Sequence, residues 1–598
     1  MTTLLHGVCA APRLTLPRRV PGSLSPAVRR SRAPRDLPLR RRIAATLPAL
    51  LLGLLCAGRA AAQSISENLV PTVIVSTSAE PVAAGKFLPT WDSLRQYRTP
   101  EWFRDAKFGI WAHWGPQCEP EDGDWYARNM YIEGSDQNKF HVAHYGPPSR
   151  FGFKDVIHRW KAENWDPDKL VALYQRAGAQ YFFALANHHD NLDLWDSRYQ
   201  PWNSVRVGPH KDLIAGWAKA ARAHGLRFGV SVHAAHAWMW YEPAQGADKT
   251  GPLAGVPYDG RLTAADGRGQ WWEGLDPQDL YSQNHAPGAN GPSWSTDSLW
   301  NWGNGASTPD QAYCDKFYNR CVDLINRYHP DLVYFDDTAL PLWPVSDAGL
   351  KIAAHFYNQN MQLHGGRLEA VLFGKVLDEA QRRTMVWDIE RGQSNQIEPQ
   401  PWQTDTCIGD WHYRRSVYDE HHYKSAQTVV QTLVDVVSKN GNLLLNIPVR
   451  GDGTIDDDEL KIVEGIAGWM EVNRDCIFGT RPWGICGEGP ALENAAPITA
   501  QGFNEGKGRP YTGADVRFTT KGATLFAVLL GSPADGAATI RALAAGSAQL
   551  AGRRITSVAL LGQARPVDWS QDSQGLRVKM EASPTDGFPA VLKIEGAL

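Results

Sequence analysis

Short apolar runs that end abruptly on a histidine or a carboxylate recur through the middle of this chain. They limit its fold more than any other feature. Tyr181–Ala186 (YFFALA) runs straight into Asn187-His188-His189-Asp190, and Leu332–Asp337 (LVYFDD) sets Val333, Tyr334 and Phe335 ahead of Asp336 and Asp337. Lys107–His113 and Arg227–His233 close in the same way. A strand that is apolar on both faces belongs in a parallel sheet covered by helices. Helical patterns alternate with these runs at Pro167–Gly178, Asp212–Gly225, Tyr313–Arg327, Ser425–Ser438 and Glu459–Asn473. Further strands are read at Ala370–Gly374, Thr384–Glu390 and Asn442–Pro448. About seven or eight strand–helix units over roughly 390 residues predict an α/β fold, a (β/α)8-like TIM barrel.

The pattern changes after Arg481-Pro482-Trp483. Short strands between Gly, Pro and Asp turns (515–520, 524–530, 555–561, 576–580 and 590–595) predict a C-terminal antiparallel β-sandwich domain. The expected organisation is a leader and secretory signal over 1–62, a linker or loosely packed arm over 63–92, a catalytic barrel over 93–482 and the β-sandwich over 483–598. Residues 1–42 are rich in Arg and Pro, with Asp36 as the sole acid. The apolar run Ile43–Cys56 follows, and Ala60-Ala61-Ala62 before Gln63 supplies a small-residue cleavage site. The apolar run is too short to span a membrane comfortably. The expected product is exported, periplasmic or secreted, with no membrane attachment after cleavage.

Beyond the leader the basic residues are dispersed and the net charge is −3, which excludes a nucleic-acid partner. Six cysteines remain after cleavage, in spacings that form neither a disulfide framework nor a zinc pattern. No metal or cofactor is expected.

On a barrel, the carboxyl ends of the strands share one rim. That rim would carry His113, His188, His189, His233, Asp336 and Glu390. Such a set could bind a metal. It could instead hold a sugar while two carboxylates perform nucleophilic and acid/base work. Adjacent residues such as His188 and His189 are awkward as two ligands of one ion, because neighbours on a strand point to opposite faces. Trp111, Trp114, Trp125, Trp195, Trp238 and Trp240 lie in or near the same segments, and the apolar faces of sugar rings stack on aromatics, which favours sugar. Taken alone, Asp336 or Asp337 could equally cap the next helix.

Several ordered blocks carry a resemblance. Lys107–Gly115 (KFGIWAHWG) resembles the first-strand signature of glycoside hydrolase family 29, the α-L-fucosidases. Asp124-Trp125-Tyr126 stands where that family has Glu-Trp-Tyr, and Ala186–Ser197 resembles its Lys-His-His-Asp-Gly-Phe…Trp-Asp-Ser block. His329–Asp337 resembles Pro-Asp-(apolar)-(apolar)-Trp-Phe-Asp-Gly, and residues 435–455 with Thr480-Arg481-Pro482 resemble the family's close. The match covers about residues 95–485.

The resemblance implies a retaining α-L-fucosidase acting on a fucosylated oligosaccharide or glycoconjugate. Asp336 would be the nucleophile, with Asp337 where the family has Gly. His113, His188 and His189 would bind the fucose hydroxyls, joined by Asp124 and Trp125. Glu390 would be the acid/base, with Glu398 and Asp405 as alternatives. Arg391 would anchor that acid or touch the ring, and Trp402 and Trp411 would wall the pocket. The family's paired tyrosines after the third strand are absent, so His233 and Trp238 are expected to take over that contact. The long loop 240–300 is expected to cover the leaving-group side. An α-L-galactosidase or a transfucosidase on the same scaffold, or a silent carbohydrate-binding protein, are the competing readings. A homo-oligomer is left open.

Overall fold

A computed structural model describes residues 68–598 except 77, 290–301, 303–304, 499–502, 534–535 and 581–586. The leader, the signal and part of the 240–300 loop lie outside the described residues. Among the described residues no helix is long and apolar enough to cross a membrane.

Eight parallel strands close into a barrel in sequence order: β1 (Phe108–Ala112), β2 (Tyr181–Asn187), β3 (Arg227–Val232), β4 (Leu332–Thr338), β5 (Val371–Lys375), β6 (Val386–Glu390), β7 (Trp402–Cys407) and β8 (Gly441–Asn446). The predicted strands are all present, and their rim residues emerge at one end. Gly109 faces the interior where a Cβ would meet the ring of Tyr181 at 2.1 Å, so glycine is what admits that ring. The β4–β5 register shifts between Tyr334 and Thr338, which frees the Asp336–Asp337 tip from lateral pairing with β5.

β7 has no counterpart in the sequence reading. Its sequence, WQTDTC, points Gln403 and Asp405 into the barrel. There Gln403 donates to Asp388 Oδ2 at 2.8 Å and accepts from the Tyr181 hydroxyl at 3.0 Å. Asp405 accepts from the Tyr334 hydroxyl at 2.9 Å. Polar groups buried together satisfy one another, so this strand lacks the apolar run that marks the others.

At the opposite end of β1, Lys107 adopts a left-handed φ of 58° and is fully buried. Its ammonium has no hydrogen-bond partner among the described residues. Burial pulls its pKa down to about 7.

The expected linker is a docked arm. Val73 forms a parallel bridge with Ser346, and Val75 donates its backbone N–H to Asp347 at 2.9 Å. Asn358, on the helix Ala348–Leu363, brackets Phe87 by accepting from its N–H at 2.9 Å and donating to its carbonyl at 2.8 Å. Trp91 is buried edge-on against Trp343.

The C-terminal domain has a five-stranded sheet built from β9 (Arg481–Glu488), β10 (Val516–Lys521), β11 (Thr524–Leu529), β13 (Ser557–Leu560) and β16 (Ala590–Glu595), ordered β13-β16-β11-β10-β9. A three-stranded sheet holds β12 (Ala537–Ile540), β15 (Gly575–Lys579) and β14 (Asp568–Asp572). Phe518, Leu525, Leu592 and Ile594 belong to this domain's own core, whereas Phe526, Val528 and Val591 merge with the barrel core. The helix Ala426–Ser438 packs against β9 and β10. At that seam Asp435 is buried between Arg517 at 2.5 Å and Lys439 at 2.6 Å.

Candidate active site

The rim residues converge on a cavity of about 370 Å³ floored by Trp111 and Tyr334. Each strand end delivers its side chain through local bonding. The His113 backbone N–H donates to Asn446 Oδ1 of β8 at 2.9 Å, and the same amide donates to the Trp411 carbonyl at 2.9 Å. Asn187, the last residue of β2, accepts from the backbone N–H groups of His233 and Ala234, both at 3.1 Å, which ties the β2 and β3 tips together. Gln117 donates to His188 Nδ1 at 2.7 Å. His189 Nδ1 donates to the His233 carbonyl at 2.7 Å, turning Nε2 toward Asp336 Oδ2 at 3.3 Å.

Asp336 is the hub. His233 Nδ1 donates to its Oδ2 at 3.1 Å, and Lys375 Nζ donates to its Oδ1 at 2.6 Å. Lys375, the last residue of β5, also donates to Glu390 Oε2 at 2.5 Å. One ammonium therefore joins Asp336, near the end of β4, to Glu390, which ends β6.

The electrostatics separate those acids. Burial alone would raise Asp336, but the Lys375 charge and the contacts from His189 and His233 hold it well below the usual carboxylate range. Burial pushes Glu390 up to about 7 against the pull of Lys375, with the charges of Asp405 and Asp336 adding to the rise. Lys375 itself is held well above its ordinary value: burial opposes the charge, and Asp336, Glu390, Asp405 and Asp388 outweigh it. Burial drives His113 and His188 well down, lowers His189 against the pull of Asp336, and brings His233 to about 4, so His113, His188 and His233 are neutral near pH 7.

His113, Asp124, Trp125, His188, His233, Trp411, Asp336 and Glu390 line the cavity. His189 stands behind Asp336 and touches it. Asp124 has both oxygens occupied by the 411–412 loop, accepting from the Trp411 N–H at 3.1 Å and the His412 N–H at 2.7 Å. It fixes that wall of the pocket.

Two expected contacts fall elsewhere. Trp238 is stacked on His285 at 4.0 Å and lies outside the lining, because the chain after β3 turns into short helices that carry it away. Arg391 sends its guanidinium to Cys407 Sγ at 2.8 Å and the Gly409 carbonyl at 3.2 Å, under the Trp411 ring, so it props a wall and does not reach the cavity. Trp402 is buried with Ile389 and Val436. Of the alternative acids, Glu398 is buried outside the cavity and accepts from Ser394 at 2.5 Å, whereas Asp405 lines it.

Sequence reasoning missed Lys375, His412 and Phe503. Lys375 follows a strand whose expected end, Gly374, fell one residue short, so the rule that found the other rim residues would have found it too. His412 lies on a loop, its ring 4.6 Å from that of His113. No sequence signal marks it, nor Phe503.

Two trios bring ligating atoms within 4.8 Å of one another and could hold a metal ion: His113 with His188 and His233, and His189 with His233 and Asp336.

The model of the alpha-L-fucosidase family matches residues 74–475, and that of the alpha-L-fucosidase C-terminal domain matches residues 510–595. The tissue alpha-L-fucosidase of Rattus norvegicus is 23% identical over 88% of this chain and 95% of its own. That of Homo sapiens is 24% identical over 91% of this chain and 95% of its own. Among solved structures, a Thermotoga maritima alpha-fucosidase in complex with a mechanism based inhibitor shares 26% identity. It covers 85% of this chain and 100% of its own, with a TM-score of 0.62.

Proposed function

The chain belongs to the alpha-L-fucosidase family of glycoside hydrolases, and from that premise we propose that it is an exported enzyme working by retention, with Asp336 as nucleophile and Glu390 as acid/base. The observation that carries this reading is the Lys375 bridge. An ammonium bonded at 2.6 Å to one carboxylate and 2.5 Å to the other limits their separation. The bonded oxygens lie no farther apart than the two bonds laid end to end, about 5 Å, which is the spacing of a double displacement. Inverting enzymes need a wider gap to seat a water between the acids.

The protonation states agree with those roles. Asp336 is ionised and ready to attack the anomeric carbon, while Glu390 carries a proton for the leaving oxygen near neutral pH. Bond formation from Asp336 to that carbon, with proton transfer from Glu390, releases the leaving sugar. Glu390, now ionised, takes a proton from water as it attacks the ester, freeing L-fucose and both carboxyl groups. His113 Nδ1 and His233 Nε2 are buried without a hydrogen-bond partner among the described residues. Neutral imidazoles can donate or accept, which suits sugar hydroxyls. The substrate is a fucosylated oligosaccharide or glycoconjugate. Export rests on the signal-like 43–62 segment, and the mature chain is expected to begin at Gln63.

Replacing the nucleophile tests the mechanism. Asp336→Gly should hydrolyse an aryl α-L-fucoside about a thousandfold more slowly or worse, and azide should restore turnover with fucosyl azide as product. Near-normal turnover of the folded variant would remove Asp336 from the role.

A further inference from the structure

Among the described residues lining the cavity, one comes from outside the barrel. Phe503 belongs to the segment between β9 and β10 of the C-terminal domain, yet its backbone N–H donates to the carbonyl of Glu390 at 2.9 Å. Two residues on, Glu505 donates its N–H to the Arg391 carbonyl at 2.9 Å. Between them Asn504 clasps Gln393, accepting from its N–H at 2.8 Å and donating to its carbonyl at 3.0 Å. The Glu505 carboxylate then accepts from Thr406 Oγ1 on β7 at 2.8 Å and pairs with Lys424 at 2.7 Å. These contacts hold Phe503 in a left-handed conformation, φ 31°, that a bulky side chain seldom adopts. Backbone held in such a region is over-determined by its surroundings and concentrates at ligand sites.

An exposed phenylalanine alone carries little meaning. This one is 36% exposed, lines the cavity, and is bonded to the backbone of the very residue that carries the acid. The general acid must reach the oxygen between fucose and the leaving group. Whatever is attached to that oxygen therefore passes over the Glu390 side of the cavity, where Phe503 stands. An aromatic ring there offers the C–H face of a pyranose a flat apolar surface.

We propose that Phe503 forms a wall of a leaving-group subsite and that its ligand is the apolar face of the sugar to which fucose is attached. The assignment rests on Glu390 being the acid. The C-terminal domain thus contributes to the choice of substrate, although the acid and the nucleophile both belong to the barrel.

The test compares two substrates of the full-length enzyme. α-L-Fucosyl fluoride has a leaving group too small to reach Phe503, whereas an α-L-fucosyl-(1→2)-galactoside places a ring against it. In Phe503→Ala, the ratio of kcat/KM on the disaccharide to kcat/KM on the fluoride should fall about three- to tenfold, the scale of an aromatic contact. Phe503→Leu, which keeps the apolar bulk, should also lower the ratio, and Phe503→Trp should restore it. An unchanged ratio in both folded Ala and Leu variants would overturn the proposal. Glu390→Gln isolates the underlying reading: kcat/KM should collapse on the disaccharide and fall far less on the fluoride, whose departure needs no acid, while kcat on the fluoride drops because the water that frees the enzyme has lost its base. If it spares both substrates, the acid assignment fails, whatever Phe503 does.

Discussion

Lys375 sets the charge state of two carboxylates at once, and that makes its removal informative. With the ammonium present, Asp336 is ionised far into the acid range and Glu390 exchanges its proton near pH 7. In the proposed mechanism the productive enzyme has Asp336 ionised and Glu390 protonated, so kcat/KM should decline above about pH 7 as Glu390 loses its proton. Lys375→Met deprives both acids of the nearby positive charge, so both pKa values must rise. The alkaline limb should move to higher pH, and the rate at neutrality should fall on the order of a hundredfold. Lys375→Arg should recover much of the loss. A limb that stays in place would show that Lys375 does not govern Glu390. At this scale the sequence made Asp336, Glu390 and the histidines legible because each ends an apolar run. Trp238 and Arg391 were misjudged because both lie beyond a strand end. Their direction is set by short helices in one case and by a Cys407–Gly409 turn in the other.

Two elements that escaped notice, β7 and the helix Ala348–Leu363, share one cause: polar residues placed inside. β7 buries Gln403 and Asp405 because Asp388, Tyr181 and Tyr334 meet them across the barrel. The helix Ala348–Leu363 carries His355 and Asn358 at buried positions because those side chains hold the arm's backbone at Ala83 and Phe87. Periodicity reads apolar burial only, so it passes over elements whose inward groups are satisfied by distant partners. Lys107, at the foot of β1, is the reverse case, a buried ammonium with no hydrogen-bond partner among the described residues. Its folded pKa of about 7 lies below the ordinary 10.5. As the pH falls from 10.5 toward 7, the unfolded lysine takes up a proton that the folded one refuses, and stability drops; below 7 the penalty is constant. Lys107→Met should therefore stabilise the protein by a few kcal/mol at pH 7, and by much less near pH 10. Urea midpoints at the two pH values check both the sign and the slope.

Across the whole molecule, barrel and C-terminal domain share one apolar core and a buried charge cluster. Asp435 needs both Arg517 and Lys439, since a buried carboxylate with half its compensation removed is costly. Arg517→Ala should cost about 3 kcal/mol. It should shift one cooperative transition, detected identically by tryptophan fluorescence and far-UV circular dichroism. Two separated transitions would mean that the domains unfold independently. The fold class and the two-part order of the chain were readable from strand spacing alone. The joining of the two parts was not, because Phe526, Val528 and Val591 look like any other sheet residues until the barrel is set against them. The segment 503–505, bonded along Glu390, Arg391 and Gln393, extends that joining to the cavity itself. For recombination this means that preference among leaving sugars is heritable separately from the reaction. A chimera that receives residues 483–598 from a relative should keep the proposed acid and nucleophile, Glu390 and Asp336, and take on the donor's taste in glycans.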